Sequence, residues 1–394
     1  MNIIIYLLSL IPICRILLYV PPLPLFLYYG IIGISGAALL GYSFSKKSNI
    51  DLSTLLFITI VILSILSNEI PEFFRPWERF ISFLIILLPI SPLVYSTILV
   101  ESRLRILINS LRLIQILTIV SFVGFLIRFP GFSSSLGFNG LTVHPMLFGP
   151  LAGISALYSA YGYFIRNKDD RWKWFNAIFF ICSVLCCLLA GSRGGLIAFL
   201  GGGLFMIWRF FRDKPALLIK IIFVISFITV STYPIWRPYT ENIEKKQKNN
   251  IEAGGTFSSR EALWEDRINE FKANPFLGVG FASMDISISK KSFQKETGLI
   301  EPGSSWLFLL SSLGSCGFAL FCIISFKRMF ISLSRSISSF EILLQSLLMF
   351  FLLHMIIEGY ILSSGSYLFF LLWLTIGVNQ YPVVKYINTH KNEI

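Results

Sequence analysis

The stretch Cys186-Cys-Leu-Leu-Ala-Gly-Ser-Arg-Gly-Gly195 joins two apolar runs through almost the shortest turn a chain can make. One run enters it from residue 174, and a second, Leu196–Trp208, leaves at once. Each run nearly matches a bilayer's apolar thickness, so together they read as a membrane hairpin of helices. The turn carries one charge, Arg193, placed at the membrane surface between the two spans. Two glycines follow it, so the backbone can bend there and a ligand can come close. An arginine at membrane depth is expensive, which makes it a functional candidate. The competing reading is an interfacial anchor whose head snorkels to the headgroups.

The whole chain repeats this character. Of 394 residues, 55% are hydrophobic and 14% charged, and the mean hydropathy is +0.74. These values place it among all-α polytopic integral membrane proteins. The six cysteines sit inside apolar runs without metal-ligand or disulfide spacing, so they read as small buried apolar residues. Three histidines, with no His-Glu-x-x-His pattern, argue against a zinc site. The apolar N-terminus continues into further spans and lacks a small-residue cleavage site, so a retained first helix is expected.

About twelve apolar runs are long enough to span or nearly span: 3–20, 24–43, 53–67, 79–99, 105–128, 141–164, 174–191, 194–210, 216–234, 304–326, 338–361 and 366–381. Positive charge follows every even-numbered run. It comes as Lys46-Lys47, Glu101-Ser-Arg-Leu-Arg105, Arg166–Lys173, Arg212-Asp-Lys214, Lys327-Arg328 with Arg335, and Lys385 with Lys391 in the tail. Those loops are expected to be cytoplasmic, with both termini inside. The stretch Trp236–Gly303 holds ten Lys/Arg and ten Asp/Glu, so the net charge of +12 lies elsewhere, mostly in short loops. This is the positive-inside pattern rather than a nucleic-acid-binding surface. The expected organisation is 1–235 as spans one to nine, 236–303 as one large outer loop containing short helices, and 304–394 as spans ten to twelve with the tail.

Within the outer loop, Thr240–Gly255 is charged, ends in Gly-Gly and reads as mobile. Ser258-Ser-Arg-Glu261 reads as a capping box that opens a helix to about Lys272, before Asn274-Pro275. Arg260, Trp264, Arg267, Ile268 and Phe271 share one face of that helix, which is expected to lie on the membrane surface or the bundle. Lys290 and Lys291 read as solvated. In the eleventh run, His354 and Glu358 at i and i+4 are expected on one helix face, about 6 Å apart along the axis. A carboxylate there must pair, face water or be protonated.

These features resemble the O-antigen ligase and polymerase family of bacterial envelope glycosyltransferases. Gly191-Ser-Arg-Gly-Gly195 is similar to that family's Ser-Arg-Gly turn between two spans. Ser259-Arg260 with Trp264, and Asn274-Pro-Phe-Leu-Gly-Val-Gly280, resemble the second arginine and the N-P-x-x-G-x-G run of its large outer loop. Glu301–Gly314 resembles the stretch that opens the next span, and Gly140–Gly149 with His144-Pro145 resembles a shorter element before an earlier span. The resemblance runs from about Gly140 to Gly377. One place departs: ligases of the group carry His-Asn where the outer loop re-enters the membrane, and here it reads Gly303-Ser304. That favours the polymerase branch.

The resemblance implies a GT-C-like membrane enzyme of the bacterial inner membrane with a periplasmic active site. It would transfer a glycan from undecaprenyl pyrophosphate to a sugar hydroxyl, beside membrane lipids and a chain-length regulator protein, with no nucleic acid and no cofactor. Arginine suits a pyrophosphate leaving group because it is always charged, planar and bidentate. Arg193 and Arg260 are therefore expected to grip it, with Arg267 third and Arg193 also stabilising charge in the transition state. Glu358, then Glu301, would supply the carboxylate that aids the acceptor hydroxyl. Ser192, His144, Trp264 and Trp306 complete the expected binding set. No Asp-x-Asp motif lies on the outer side, so a metal-independent reaction is expected. Against this stand blander expectations: Arg260 and Arg267 paired with Glu261, Glu265 or Asp266, His354 with Glu358 as helix glue, His144 as a cap, and the tryptophans as interfacial anchors. A lipid-linked sugar flippase is the alternative of another class, but the halves show no convincing repeat and the spans carry little charge beyond Arg15, His354 and Glu358.

Overall fold

The computed structural model describes residues 1–44, 48–134, 137–167, 169–252, 258–288, 293–333 and 337–380. Lys46-Lys47, Lys290, Lys291, Arg335, Lys385 and Lys391, to which the sequence assigns solvated or cytoplasmic roles, lie outside the described residues.

The chain is helical. It runs through α1 (Asn2–Cys14), α2 (Leu25–Phe44), α3 (Leu52–Leu66), α4 (Pro76–Ile90), α5 (Thr97–Leu126), α6 (Pro145–Ile165), α7 (Arg171–Leu189), α8 (Arg193–Phe211) and α9 (Pro215–Ser231). The outer stretch holds α10 (Tyr233–Trp236), α11 (Glu241–Glu252) and α12 (Ser258–Ala273), and the chain ends with α13 (Ser305–Leu333), α14 (Ser339–His354) and α15 (Tyr367–Asn379). Each apolar run of the sequence is mainly helical. Among the described residues, five helices can cross a membrane by length and composition: α2, α5, α7, α8 and Ser305–Ile331 of α13; α1, α3, α9, α14 and α15 are apolar but shorter.

Two expected boundaries move. Glu101–Arg105 is not a loop. It lies in the first turns of α5, where Arg105 pairs with Glu101 at 2.8 Å across one helical turn. The true break is residues 91–96, because Ser91 ends α4 and Ser96 caps α5 by accepting the Leu99 N–H. The charged stretch expected to be mobile folds over 241–252 as α11; Ala253–Gly255 lie outside the described residues.

The loops gather at two opposite ends. At one end, Leu18 N–H donates to Leu141 O at 2.8 Å, and Arg79 Nη1 donates to Ala282 O at 2.8 Å, tying α4 to the outer stretch. At the other, Asn49–Ile50 pairs antiparallel with Val94–Tyr95, and Arg212 Nη1 donates to Leu333 O at 2.8 Å. The loops after odd- and even-numbered runs are thus segregated.

The core is aromatic. Phe57 of α3, Phe83 of α4 and Phe321 of α13 set their rings 5.8, 6.4 and 5.8 Å from that of Trp373 on α15. All of α15 is buried, whereas most of α9 is exposed and suited to face lipid. On the other side of the bundle α8 lies between α6 and α14. Small residues permit that close approach: a Cβ added at Gly149 or Gly195 would stand 2.5 Å from Ser192 Cβ or 3.0 Å from Pro150 N.

The helix α13 is broken at Gly314, whose φ of 63° and ψ of −167° are not helical. The turn from Asn274-Pro-Phe-Leu-Gly-Val-Gly280 fills the break. Ser315 N–H donates to Pro275 O at 2.8 Å, Cys316 N–H to Phe276 O at 3.3 Å, and Val279 N–H to Ser311 O at 2.8 Å. Ser64 Oγ of α3 donates to Leu277 O and Ser312 O, both at 2.9 Å. Backbone freed by the break is thereby satisfied inside the protein, the condition for non-helical chain at membrane depth. Only glycine fits at the seam: a Cβ on Gly314 would come 2.2 Å from Phe276 O, and one on Gly278, at φ +70°, would come 2.3 Å from Ser312 C. Gly314→Ala should therefore destabilise the protein by roughly 2–4 kcal/mol, combining a left-handed backbone with overpacking. Thermal unfolding in detergent should show the drop, while Gly41→Ala, with nothing within 4 Å of its added Cβ, should not.

Candidate functional site

Arg193 opens α8 at its first helical position, and Ser192 caps the helix by accepting the Gly195 N–H at 3.3 Å. The guanidinium therefore projects from the positive end of a helix dipole, a place that favours anions. Arg193 is half-buried, and its Nη1 donates to Gln247 Oε1 of α11. Gly194 sits against the turn after α14; a Cβ on it would lie 3.5 Å from Ile357 and 3.6 Å from the His354 ring.

That turn corrects the expected helix face. α14 stops at His354, and Glu358 lies beyond it in the connection to α15. His354 and Glu358 do not pair. His354 Nδ1 is 3.4 Å from the Tyr360 hydroxyl and its ring stacks on Phe350. Glu358 Oε1 instead accepts from Arg260 Nη2 at 2.6 Å. The connection is pinned from α13: Ser305 Oγ donates to Glu358 O at 2.6 Å and accepts the Tyr360 N–H at 2.9 Å, and Ser305 N–H reaches both Met355 O and Glu358 O.

Arg260, on the first turn of α12, is held twice. Its Nη1 donates to Gly303 O at 3.0 Å, and Trp264 Nε1 donates to the same carbonyl at 3.2 Å. The pair with Glu358 leaves the two side chains 16% and 25% exposed, so it is shielded but reachable. Arg193 and Arg260 lie within electrostatic reach of each other. Burial pushes the Glu358 carboxyl above the ordinary glutamate value, Arg260 pulls it back by charge and hydrogen bond, and Glu301 pushes it up. Glu301 itself is exposed at the entry to α13.

Other expected site residues take structural places. Arg267 is fully buried against Glu270 at 2.8 Å, with its guanidinium 5.8 Å from the Phe308 ring centre, so it faces the bundle rather than a phosphate. Of the expected surface pairings with Glu261, Glu265 or Asp266, Arg267 feels the charge of Asp266, while Arg260 pairs with Glu358. Ile268 is exposed, so the docked face of α12 runs through Leu263, Arg267 and Glu270 and not through Ile268. The Ser258 cap lies outside the described side chains. Trp306 points into the bundle: Nε1 donates to Leu352 O at 3.0 Å and the ring stands 5.7 Å from Phe318 and Phe321. His144 caps α6, with Nδ1 accepting the Met146 N–H at 3.1 Å. Ser192 is buried under α6.

Sequence reasoning singled out Arg193, Arg260, Trp264, Glu301 and Glu358, and the structure brings them to one end of the bundle. It missed Gln247, Ser305 and the Gly303 carbonyl. Gln247 lies in a charged stretch without pattern. Ser305 had a signal, the Gly-Ser-Ser-Trp run at the start of α13, which was read only as a departure from a motif.

Comparison with known proteins bears on this cluster. No curated protein matches the chain. A family model described as O-antigen ligase matches residues 178–322, which include Arg193, Arg260, Trp264, the turn at 274–280 and the break at Gly314. The match spans the hairpin, the outer stretch and the first half of α13, the parts that build the arginine side of the site. With its apolar helices, the chain is a multi-pass membrane protein whose residues 178–322 are similar to the family described as O-antigen ligase.

Proposed function

We propose that the chain is a polysaccharide polymerase that moves a growing glycan from undecaprenyl pyrophosphate onto the next lipid-linked repeat unit. The site would face the periplasm from the inner membrane, with both termini cytoplasmic, the orientation that the loop charges favour. The observation that carries the proposal is the convergence of Arg193 and Arg260, from separate elements, beside the Glu358 carboxylate. Two guanidiniums that repel one another form a place that a dianion would stabilise.

In this reaction the bond between the sugar C1 and the pyrophosphate oxygen breaks, and a bond forms from C1 to the acceptor hydroxyl oxygen. The hydroxyl proton passes to Glu358. Negative charge grows on the leaving pyrophosphate and is met by Arg193, Arg260 and the N-terminus of α8. Arg260 links the two halves: as it turns to the pyrophosphate, Glu358 loses part of its counter-charge and becomes a stronger base. Gln247 holds Arg193 until the pyrophosphate oxygens replace its amide oxygen. Trp264, braced on Gly303 O, would offer its ring to a sugar. The chemistry needs no metal because the arginines carry the charge.

A ligase that passes a finished glycan to another acceptor is the second reading, favoured by the description of the matching family model. Purified protein given lipid-pyrophosphate-linked repeat units in EDTA should produce a ladder of lengths on a gel. Unchanged units, converted only when core lipid is added, would instead mean a ligase.

In the same assay Arg193→Ala and Arg260→Ala should each lower the rate by about 10²–10³, the usual cost of removing one transition-state donor. Full activity in both would sink the pyrophosphate clamp. Because the Glu358 carboxyl is raised, its basic form is lost as pH falls through a value above the ordinary glutamate range. The rate against pH should therefore show an acid limb at that raised position. Glu358→Gln should be slow throughout and lack the limb.

A further inference from the structure

At the end of the bundle away from the arginines lies a cavity of about 280 Å³. It is bounded by the N-terminal end of α3, the start of α5 and the far ends of α13 and α15. Its wall combines Asp51, Tyr95, Lys327, Arg328 and Gln380 with the apolar Ile331. Two facts make this wall unusual. It holds a carboxylate and an ammonium, yet Asp51 and Lys327 form no ion pair among the described residues. Their charges are also not consumed equally by the fold. Asp51 spends Oδ2 on the Thr54 N–H and hydroxyl at 2.9 and 2.8 Å, which caps α3. Arg328 gives Nη2 to Glu341 at 3.1 Å. No side-chain hydrogen bond or ion pair of Lys327 is present among the described residues.

A carboxylate and two cations on the wall of one small cavity, with phenol and amide groups beside them, complement a ligand that carries both signs. The cavity opens where helices end, so one side of such a ligand would meet a membrane's headgroup layer, and Ile331, 41% exposed, borders it with apolar surface. We propose that this cavity binds the headgroup of a membrane phospholipid that carries a phosphate and a primary ammonium. Lys327 and Arg328 take the phosphate, and Asp51 accepts from the ammonium through Oδ1. A phospholipid with phosphate alone leaves Asp51 facing a like charge, and a quaternary ammonium offers it no N–H. The site is separate from the glycan chemistry and holds whether the chain is polymerase or ligase.

The test is native mass spectrometry of the full chain released from detergent. Equal amounts of phosphatidylethanolamine, phosphatidylglycerol and phosphatidylcholine are added in turn, and soluble phosphoethanolamine is added in a fourth sample. Phosphatidylethanolamine should be retained about tenfold over the other two lipids, as expected for one charge-assisted hydrogen bond, and the soluble compound should not be retained. Asp51→Asn should erase the preference between the ethanolamine and choline lipids. Asparagine caps helices as well as aspartate does, so α3 should keep its stability and an unchanged unfolding temperature verifies this. Lys327→Gln should lower retention of all three lipids. Equal retention of the lipids by the unaltered chain, retention of soluble phosphoethanolamine, or an intact preference in Asp51→Asn would each overturn the proposal.

Discussion

A backbone carbonyl or amide has no water to turn to inside a bilayer, and each one left unpaired costs several kcal/mol. The break in α13 meets this demand with chain from elsewhere. The 275–279 turn lends Pro275 O and Phe276 O to the exposed amides of Ser315 and Cys316, and takes Ser311 O for Val279. Ser64 of α3 closes the remaining gap with one hydroxyl to two carbonyls. The outer stretch is thereby fixed to the bundle by main-chain bonds, which do not depend on side-chain identity. This explains why glycines stand on both sides of the seam. It also explains how α12, immediately before the turn, can be set with enough accuracy to aim Arg260.

With α12 fixed, electrostatics decides the rest of the site. Arg260 and Glu358 sit where water is scarce, and neither could be held there alone without a large penalty. Each is braced by a neighbour: the Gly303 carbonyl accepts from the guanidinium, and the Ser305 hydroxyl donates to the Glu358 carbonyl. Arg193 lies within electrostatic reach of Arg260 and donates to Gln247. The arrangement is a charge-balanced couple beside an arginine at a helix N-terminus, so it carries local positive excess without an unpaired buried carboxylate. Arg267 and Glu270 show the contrasting case. They are fully buried as an ion pair at 2.8 Å, Glu270 also accepts the Asp285 N–H, and together they dock α12 on α13.

The sequence made the helical membrane architecture and the segregation of loops legible, because both follow from hydropathy and charge along the chain. It could not separate α15 from α9. Both are apolar throughout, and in lipid an apolar surface suits the core and the outside equally, so burial depends on partners that hydropathy does not encode. The arginines of the turn and the outer stretch stood out because charge near apolar runs is rare. The partner of Glu358 did not, since a helix continued past His354 offers His354 as the neighbour at i+4. The chain leaves the helix there, and the carboxylate turns to an arginine 98 residues earlier. Trp306 was misplaced for a related reason: an aromatic at a span's start reads as an anchor, but the bend of the entering chain turns it inward onto Leu352 O.

The same separation has a bearing on how the molecule is made. A ribosome delivers Arg193 and Arg260 to the translocation machinery well before Glu358 emerges, and α13 and α14 must be threaded between them. Until then Arg260 has no carboxylate partner, and the segment carrying Glu358 has not been bound by Ser305. A nascent chain therefore holds both arginines without the Glu358 carboxylate during insertion. Closure of this pair therefore waits until α14 is in place, and a product truncated before that helix would lack it.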